Sequence, residues 1–316
     1  MSEAALPPIE GRRDTGLVSY ILLLFMGLAW GLMISMQKIS IQHGAHPIGL
    51  GFWMVLTSTL MLAVPVLLKH RPRRFRKDVF LFCLFCGVVG IGFPSVALAW
   101  AAAELPAGIV AITFASMPIF TYALSVLFRV EGAERMRLIG VCIGLSGMLL
   151  ILLPKQSLPS PSMVPWALLA ILACFSMATE NFVAGGFRPP NVKSMQLTCG
   201  RNAVAVLLLA PVVYFTDTGI PLFEPWGPMQ YAATATGLLT ATAFTTLLYV
   251  IKTSGPTFGS QVSYLITLFG IGWGMILFDE RHSGYVWGAL VLTIIGLALV
   301  QPRKPNNLLV QIQKKL

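Results

Sequence analysis

Long, nearly uncharged runs of apolar residues follow one another along the chain, with short polar connections between them. About 20 apolar residues in a helix span the hydrocarbon core of a bilayer. The runs are continuous rather than alternating, and backbone groups in lipid must pair within their own segment, so the runs predict helices and not the strands of a barrel. The ten predicted spans are Thr15–Gln37, Pro47–Leu68, Val79–Ala103, Leu105–Phe128, Leu138–Pro154, Ser162–Thr179, Met195–Phe215, Pro225–Ile251, Thr253–Phe278 and Ser283–Pro302.

Composition supports this pattern. Of the 316 residues, 56% are hydrophobic and only 11% are charged, which is too little charge to cover the surface of a soluble domain. Arg12 and Arg13 precede a first apolar run that is too long for the core of a secretory signal, and no small-residue cleavage pattern follows it. We therefore expect an all-α membrane protein whose first span is retained.

The basic residues are distributed unevenly between the two sides of the predicted spans. The net charge is +10, and 18 of the 22 basic residues lie on the side of the N-terminus. The opposite side holds only Lys38, Lys155 and Arg281. By the positive-inside rule both termini should face the cytoplasm. Topology thus accounts for the basic charge, and we expect no nucleic-acid partner.

The chain shows an internal duplication with a period of about 150 residues. A segment that begins with Pro and ends with Gly, a Phe followed within three residues by Glu, and a later Gly each have a counterpart in the second half. The matching positions are Pro106–Gly108 with Pro256–Gly259, Glu131 with Glu280, and Gly147 with Gly296. Five spans are an odd number, so two such halves cross the bilayer in opposite senses. We predict two inverted five-helix repeats, residues 1–154 and 155–316, the design of an alternating-access transporter.

Further marks connect these halves to a known family. Trp30-Gly31 lies in the first span, Met117-Pro118-Ile119-Phe120 in the fourth, and Arg201 early in the second helix of its half. With the repeated Glu and Gly positions, the chain resembles the ten-span EamA-type branch of the drug/metabolite transporter superfamily, from about Gly16 to Gln301. The resemblance implies a carrier of the bacterial-type inner membrane that moves a small organic metabolite, frequently outward, without an ATP-hydrolysing subunit.

Two departures from the family pattern leave the substrate open. The second span has Phe52-Trp53 where the first-half arginine would be expected. The ninth span reads Ile266-Thr267-Leu268-Phe269 and has no counterpart of Pro118.

Arg201 is the one charge inside a predicted span, about seven residues from its start. A charge at mid-bilayer costs on the order of 2.5–3.5 kcal/mol on insertion scales, so a buried arginine needs a partner or a function. Glu180 ends the preceding span on the same side and can pair with Arg201. Structural pairing, or extension of Arg201 to the interface, is the favoured interpretation, and binding of a substrate anion is the alternative.

Polar and aromatic residues at intermediate depth predict the rest of a substrate cavity. Aromatic rings would form apolar walls, and hydroxyl and amide groups would orient the ligand. Trp100 and Tyr249 have a competing interpretation as residues of the membrane interface. Pro94 and Pro118 are predicted hinges because proline interrupts helix hydrogen bonding. The proposed substrate-binding residues are Trp30, Trp100, Glu180, Arg201, Tyr249, Gln261, Ser263 and Tyr264.

Catalytic and metal chemistry find little support in the sequence. Cys83 and Cys86 form a C-x-x-C within a span, where contact with helices or lipid is favoured over a redox or metal role. His43 and His46 form an H-x-x-H in a short loop, and two ligands do not make a zinc site. We expect no enzyme, metal or cofactor.

The predicted function is export of a small metabolite, such as an amino acid or related zwitterion. Efflux of neutral or cationic drug-like compounds, metabolite uptake and a membrane scaffold are the alternatives. No span has a carboxylate near its centre, which favours facilitated or weakly coupled exchange over obligate proton antiport. The expected partners are the substrate and membrane lipids, with a homodimer left open.

Overall fold

The computed structural model describes residues 15–69, 76–128, 135–152, 160–221, 225–254, 259–281 and 284–299, and every regular element in these segments is helical. The α-helices are α1 (Thr15–Gln42), α2 (Pro47–Lys69), α3 (Lys77–Phe85), α4 (Phe93–Glu104), α5 (Ala107–Thr113), α6 (Met117–Leu127), α7 (Arg135–Leu152), α8 (Val164–Gly186), α9 (Ser194–Thr216), α10 (Pro228–Ser254), α11 (Val262–Phe278) and α12 (Gly284–Leu299). A π-helix, Cys86–Gly92, joins α3 to α4, and the 3-10 turn Phe114–Ser116 joins α5 to α6.

Seven helical segments within the described residues are long and apolar enough to cross a membrane. They are Val18–Gln42, Pro47–Leu68, Lys77–Glu104, Ala107–Leu127, Pro161–Gly186, Ser194–Thr216 and Pro228–Ser254. Val262–Phe278 and Gly284–Gly296 are shorter apolar helices. The all-helical prediction is confirmed for the described residues, while the count of ten spans and the inverted relation of the halves stay predictions.

One predicted boundary is wrong. The ninth span was expected to begin at Thr253, but Thr253 and Ser254 form the last turn of α10. The α10 helix continues through its basic last turn, which contains Lys252, as far as Ser254. The next long helix, α11, begins at Val262.

The π-helix ends two residues before Pro94. Pro94 has no N–H to donate to the carbonyl oxygen of a preceding turn, and the N–H of Phe93 bonds to the carbonyl oxygen of Val88, five residues back. The Ser176 hydroxyl donates to the Val89 carbonyl oxygen at 2.6 Å, and the Ser95 hydroxyl donates to that of Gly92 at 2.9 Å. Hydroxyl groups thus satisfy backbone acceptors of the π-helix that would otherwise be costly in lipid.

The two halves of the chain pack against each other through most of their helices. The α1 helix packs against α10 and α11, α2 against α9 and α10, and α4 against α8. The α5 helix packs against α11, and α7 against α12. Because each of these contacts joins the first half to the second, the center of the molecule is built by both halves.

Candidate functional site

A small cavity lies where helices of both halves meet. Its volume is about 20 Å³, roughly enough for one water molecule. It is lined by Trp30, Met33, Gln37, Met54, Gly90, Ile91, Pro94, Ser95, Leu98, Phe114, Met177, Thr240 and Phe244. The helices that line it must therefore move apart before an organic molecule can enter.

Three aromatic rings and three methionines make up six of the thirteen lining residues. Trp30 meets the Phe244 ring edge-on, with ring centroids 4.8 Å apart. The Thr240 hydroxyl donates to the Met33 sulfur at 3.2 Å, and the Gln37 amide donates to the sulfur of Met54 at 3.7 Å. Thioether side chains adapt to irregular ligands because they are flexible and polarizable. The cavity is thus suited to an apolar group of variable shape.

Arg201 and Glu180 form a buried ion pair next to this cavity. Arg201 lies in α9 and is 0% exposed, and Glu180 lies in α8 and is 2% exposed. Arg201 Nη1 donates to Glu180 Oε1, and the guanidinium lies 3.9 Å from the center of the Phe244 ring. The partnership expected from the sequence is present, and Phe244 connects the pair to the cavity wall.

Gly90 of the π-helix provides the space for the Glu180 carboxylate. A Cβ atom at position 90 would overlap both carboxylate oxygens of Glu180. Gly90 also lines the cavity, so the pair and the cavity share Gly90 and Phe244 as common walls. The irregular stretch of helix therefore positions the pair directly against the cavity.

The ion pair has hydrogen-bonding capacity to spare. Arg201 Nε, Arg201 Nη2 and Glu180 Oε2 are buried and have no hydrogen-bond partner among the residues that the structure describes. Guanidinium carries five N–H donors and carboxylate about four acceptor positions, so one shared contact leaves most of both sets free. Gln37 Oε1, in the cavity lining, is also buried and has no hydrogen-bond partner within the described segments. Donors and acceptors are thus both available beside an apolar cavity.

Trp100 lies outside the central cavity. Its ring stacks on Trp166, with centroids 5.9 Å apart, and His46 meets it edge-on at 5.2 Å. It lines a wider apolar crevice of about 430 Å³ formed by α4, α8, α9 and the π-helix. The stacking of Trp100 and its position near the end of α4 agree with its alternative interpretation as a residue of the membrane interface.

Four other predicted binding residues are not among those that line the cavity. Tyr249 is 51% exposed, and Gln261 immediately precedes α11. Ser263 is buried with its hydroxyl bonded to the Ser260 carbonyl oxygen at 2.8 Å, and Tyr264 is buried next to it. Their roles in binding stay predictions, and any role requires a different conformation.

The two predicted hinges coincide with irregular helix geometry. Pro94 follows the π-helix and lines the cavity, and Pro118 follows the 3-10 turn at the start of α6.

Replacing Pro94 by alanine should restore a regular helix hydrogen bond and stiffen this segment. We expect the transport rate to fall several-fold, roughly a 1 kcal/mol effect, while the amount of folded protein in the membrane is unchanged.

Counterflow rates normalised to the amount of purified Pro94→Ala protein would measure this effect. Pro211→Ala is a matched control, because Pro211 also interrupts a membrane helix but lies in α9 away from the cavity lining. Equal losses of folded protein in both variants would contradict a hinge role for Pro94.

Several cavity residues were not recognised in the sequence. Gln37 is a lone amide near the end of an apolar run, a signal that could have been used. Met33, Met54, Met177 and Phe244 have no such signal, because apolar residues are everywhere in a membrane span.

Cys83, His43 and His46 make structural contacts. Cys83 and Cys86 are buried, and the Cys83 thiol donates to the Leu197 carbonyl oxygen at 3.9 Å. His43 Nδ1 lies 2.8 Å from the Ile39 carbonyl oxygen, and His46 Nδ1 accepts from the Ile48 N–H at 3.3 Å. In the part of the chain that the structure describes, no three His, Cys, Asp or Glu side chains come together as metal ligands.

Comparison with known proteins decides the family. A model of the EamA-like transporter family matches the chain twice, over residues 17–153 and 164–301. The chain belongs to this family. The EamA-like chain is also 24% identical over 278 residues to the "Uncharacterized inner membrane transporter YedA" of Escherichia coli strain K12, covering 86% of this chain and 87% of YedA. YedA of E. coli O157:H7 matches equally well.

A solved crystal structure has the same fold. It superimposes with a TM-score of 0.64 at 17% sequence identity, over 90% of this chain and 97% of the other. With the apolar helices and the similarity to YedA, the EamA-like chain is a multi-pass transporter of the inner membrane.

Proposed function

We propose that this EamA-like transporter exports a small organic zwitterion, such as an amino acid, by alternating access. The observation that carries this proposal is the Arg201–Glu180 pair, whose unused donors and acceptors adjoin an aromatic and thioether cavity. A zwitterion brings one carboxylate and one ammonium group, and both find a complementary partner beside the cavity.

Each part of such a substrate has a matching group in the protein. Arg201 Nε and Nη2 would bind the carboxylate in the bidentate manner that guanidinium favours. Glu180 Oε2 and Gln37 Oε1 would accept hydrogen bonds from the ammonium group. Trp30 and Phe244 would contact the apolar remainder, so binding would depend on both charge and shape.

The transport cycle would use the opposed halves, residues 1–154 and 155–316. Bending at Pro94 and Pro118 would let the helices around the cavity move apart first on one side and then on the other. The predominance of basic residues in connections on the side of the termini supports a cytoplasmic location for both ends. We propose outward transport by facilitated or weakly coupled exchange.

The cavity lining favours a second candidate, efflux of neutral or cationic compounds. Trp30, Phe114 and Phe244 offer aromatic faces that attract cations, and three methionines line the same space. Such a substrate would make no use of Arg201.

The two candidates separate in a transport experiment. Purified protein in proteoliposomes would be tested for uptake and counterflow of amino acids, their amides and a set of lipophilic cations, with and without a pH gradient. We expect accelerated counterflow of at least one zwitterion and little dependence on the gradient. Counterflow of lipophilic cations alone would support the second candidate, and no counterflow of either class would contradict both.

A further inference from the structure

Glu280 connects three helices at the face where α1 ends and α2 begins, called the outer face below. Its Oε1 atom accepts a hydrogen bond from Lys38 Nζ at 2.8 Å and from the Ala107 N–H at 2.7 Å. Its Oε2 atom accepts from the Gly108 N–H at 3.0 Å. Lys38 belongs to α1, Ala107 and Gly108 begin α5, and Glu280 follows α11, so one carboxylate from the second half holds two helices of the first.

The local backbone is shaped to present this carboxylate. Asp279 ends α11 in the left-handed conformation, with φ of 51°, and the Glu280 N–H turns back to the Gly274 carbonyl oxygen at 3.4 Å. Glycine is needed at 274, because a Cβ atom there would lie 2.7 Å from Glu280 Oε2. The Lys38 ammonium also lies 5.0 Å from the center of the Phe278 ring.

The electrostatics favour an ionised carboxylate. Burial alone would raise the pKa of Glu280, but the hydrogen bond from Lys38 and those from the N–H groups of Gly108 and Ala107 outweigh it and hold the pKa below its ordinary value. An anion at a helix N-terminus also interacts favourably with the helix dipole. Hydrogen bonds to ionised groups are roughly twice as strong as neutral ones, so this contact is a firm tie between the halves.

Two of the helices that Glu280 ties together are connected to the cavity lining. Lys38 follows Gln37, a cavity residue of α1, and α5 leads directly into Phe114, another cavity residue. The ends of α1, α5 and α11 pack against one another, and an opening toward the outer face that passes between them would separate these ends. That separation breaks the three contacts of Glu280.

We propose that Glu280 is the gate residue of the outer face: its carboxylate caps α5 across the two halves and keeps the cavity closed on that side. The proposal rests on the alternating-access function given above. It assigns Glu280 a positioning role in the cycle, since the carboxylate does not contact the substrate. Loss of the cap favours the conformation that is open at the outer face, and at the same time depopulates the one open at the opposite face.

Closure by the cap on α5 and closure by the Lys38–Glu280 ion pair alone predict different results for one variant. If the Lys38–Glu280 ion pair alone closed the gate, exchange of the two charges would restore it. A lysine at 280 cannot accept hydrogen bonds from the N–H groups of Ala107 and Gly108. The exchanged variant Lys38→Glu/Glu280→Lys is therefore expected to stay open at the outer face.

The test measures access to the cavity from each side separately. Leu98→Cys, a cavity position, would be the reporter in a protein whose five native cysteines are replaced by serine or alanine. A membrane-impermeant maleimide would be added to vesicles of either orientation. In Glu280→Gln we expect labelling about tenfold faster from the outer face, the effect of losing one charge-assisted contact, and slower labelling from the opposite face.

Asp279→Asn is the matched control, because it removes a neighbouring negative charge, tolerates the left-handed conformation and leaves the cap in place. It should label at the rate of the parent protein from both sides. Faster labelling of Glu280→Gln from both sides would show general loosening and would overturn the gate proposal, as would unchanged labelling. Recovery of the parent rates in the charge-exchanged variant would overturn the cap. The labelling measurements need no substrate, so their outcome does not depend on whether the proteoliposome assay identifies a transported compound.

Discussion

Replacing Arg201 by alanine is expected to abolish transport and to destabilise the transporter by about 3–5 kcal/mol, because Glu180 would be left ionised and unpaired in a buried position. The guanidinium is fully buried, so water cannot replace it without entering the packed region around Phe244. The thermal midpoint of the purified protein in detergent would report the stability loss. Proteoliposome counterflow would report the loss of activity.

A double variant separates pairing from substrate binding. Glu180→Gln/Arg201→Gln carries no buried charge, so it avoids the cost of the uncompensated charge that Arg201→Ala leaves behind. We expect the thermal midpoint to recover substantially while transport of a zwitterion stays absent. Lys252→Ala, a change at an exposed basic residue at the end of α10, should behave as the parent protein in both assays. Normal transport by Arg201→Ala would contradict any functional role for the pair.

Gly90→Ala is expected to have the second largest effect. The added methyl group would overlap the Glu180 carboxylate, and overpacking of this kind costs about 1–3 kcal/mol. Because the shift would also pull Glu180 away from Arg201 and narrow the cavity, we expect transport to fall by about tenfold or more. Counterflow and the thermal midpoint would again be the measurements.

Gly272→Ala is the matched control for this change. Gly272 also lies in an apolar helix, α11, but a Cβ atom there would have no heavy atom within 4 Å. The substitution should be neutral or stabilising by up to about 1 kcal/mol through helix propensity. A second, compensating variant, Gly90→Ala/Glu180→Asp, shortens the acid side chain and should recover part of the activity. If Gly90→Ala and Gly272→Ala behaved alike, the carboxylate would not be seated against Gly90.

The helical character of the chain and the Arg201–Glu180 partnership could both be predicted from sequence. Long apolar runs have few structures available to them in lipid, and a buried charge demands a nearby partner on the same side. The boundary at Thr253 was missed because α10 continues beyond its apolar run through the charged Lys252. The apolar run indicates which residues lie in lipid, but the helix can extend beyond that run.

The composition of the cavity could be predicted only in part. Trp30 and Pro94 do line it, but Gln37 and Phe244 were missed, and Tyr249 lies on the exposed surface. Depth along a helix can be read from the sequence, whereas the face that a residue presents to its neighbours depends on packing between distant segments. The π-helix escaped prediction for a related reason: a Gly-rich segment before proline permits several backbone conformations, and contact with Ser176 and Glu180 accompanies this one.

The most direct test of the account compares three forms of one compound. Counterflow in proteoliposomes would be measured for the best zwitterion of the panel, for its methyl ester and for its N-acetyl derivative, with the parent protein and with Glu180→Gln/Arg201→Gln. A site built on Arg201 and Glu180 predicts that the parent protein transports the zwitterion and discriminates against both derivatives, and that the double variant transports none of them faster than empty liposomes. Equal transport of all three forms by the parent protein, with the same rates in the double variant, would contradict it.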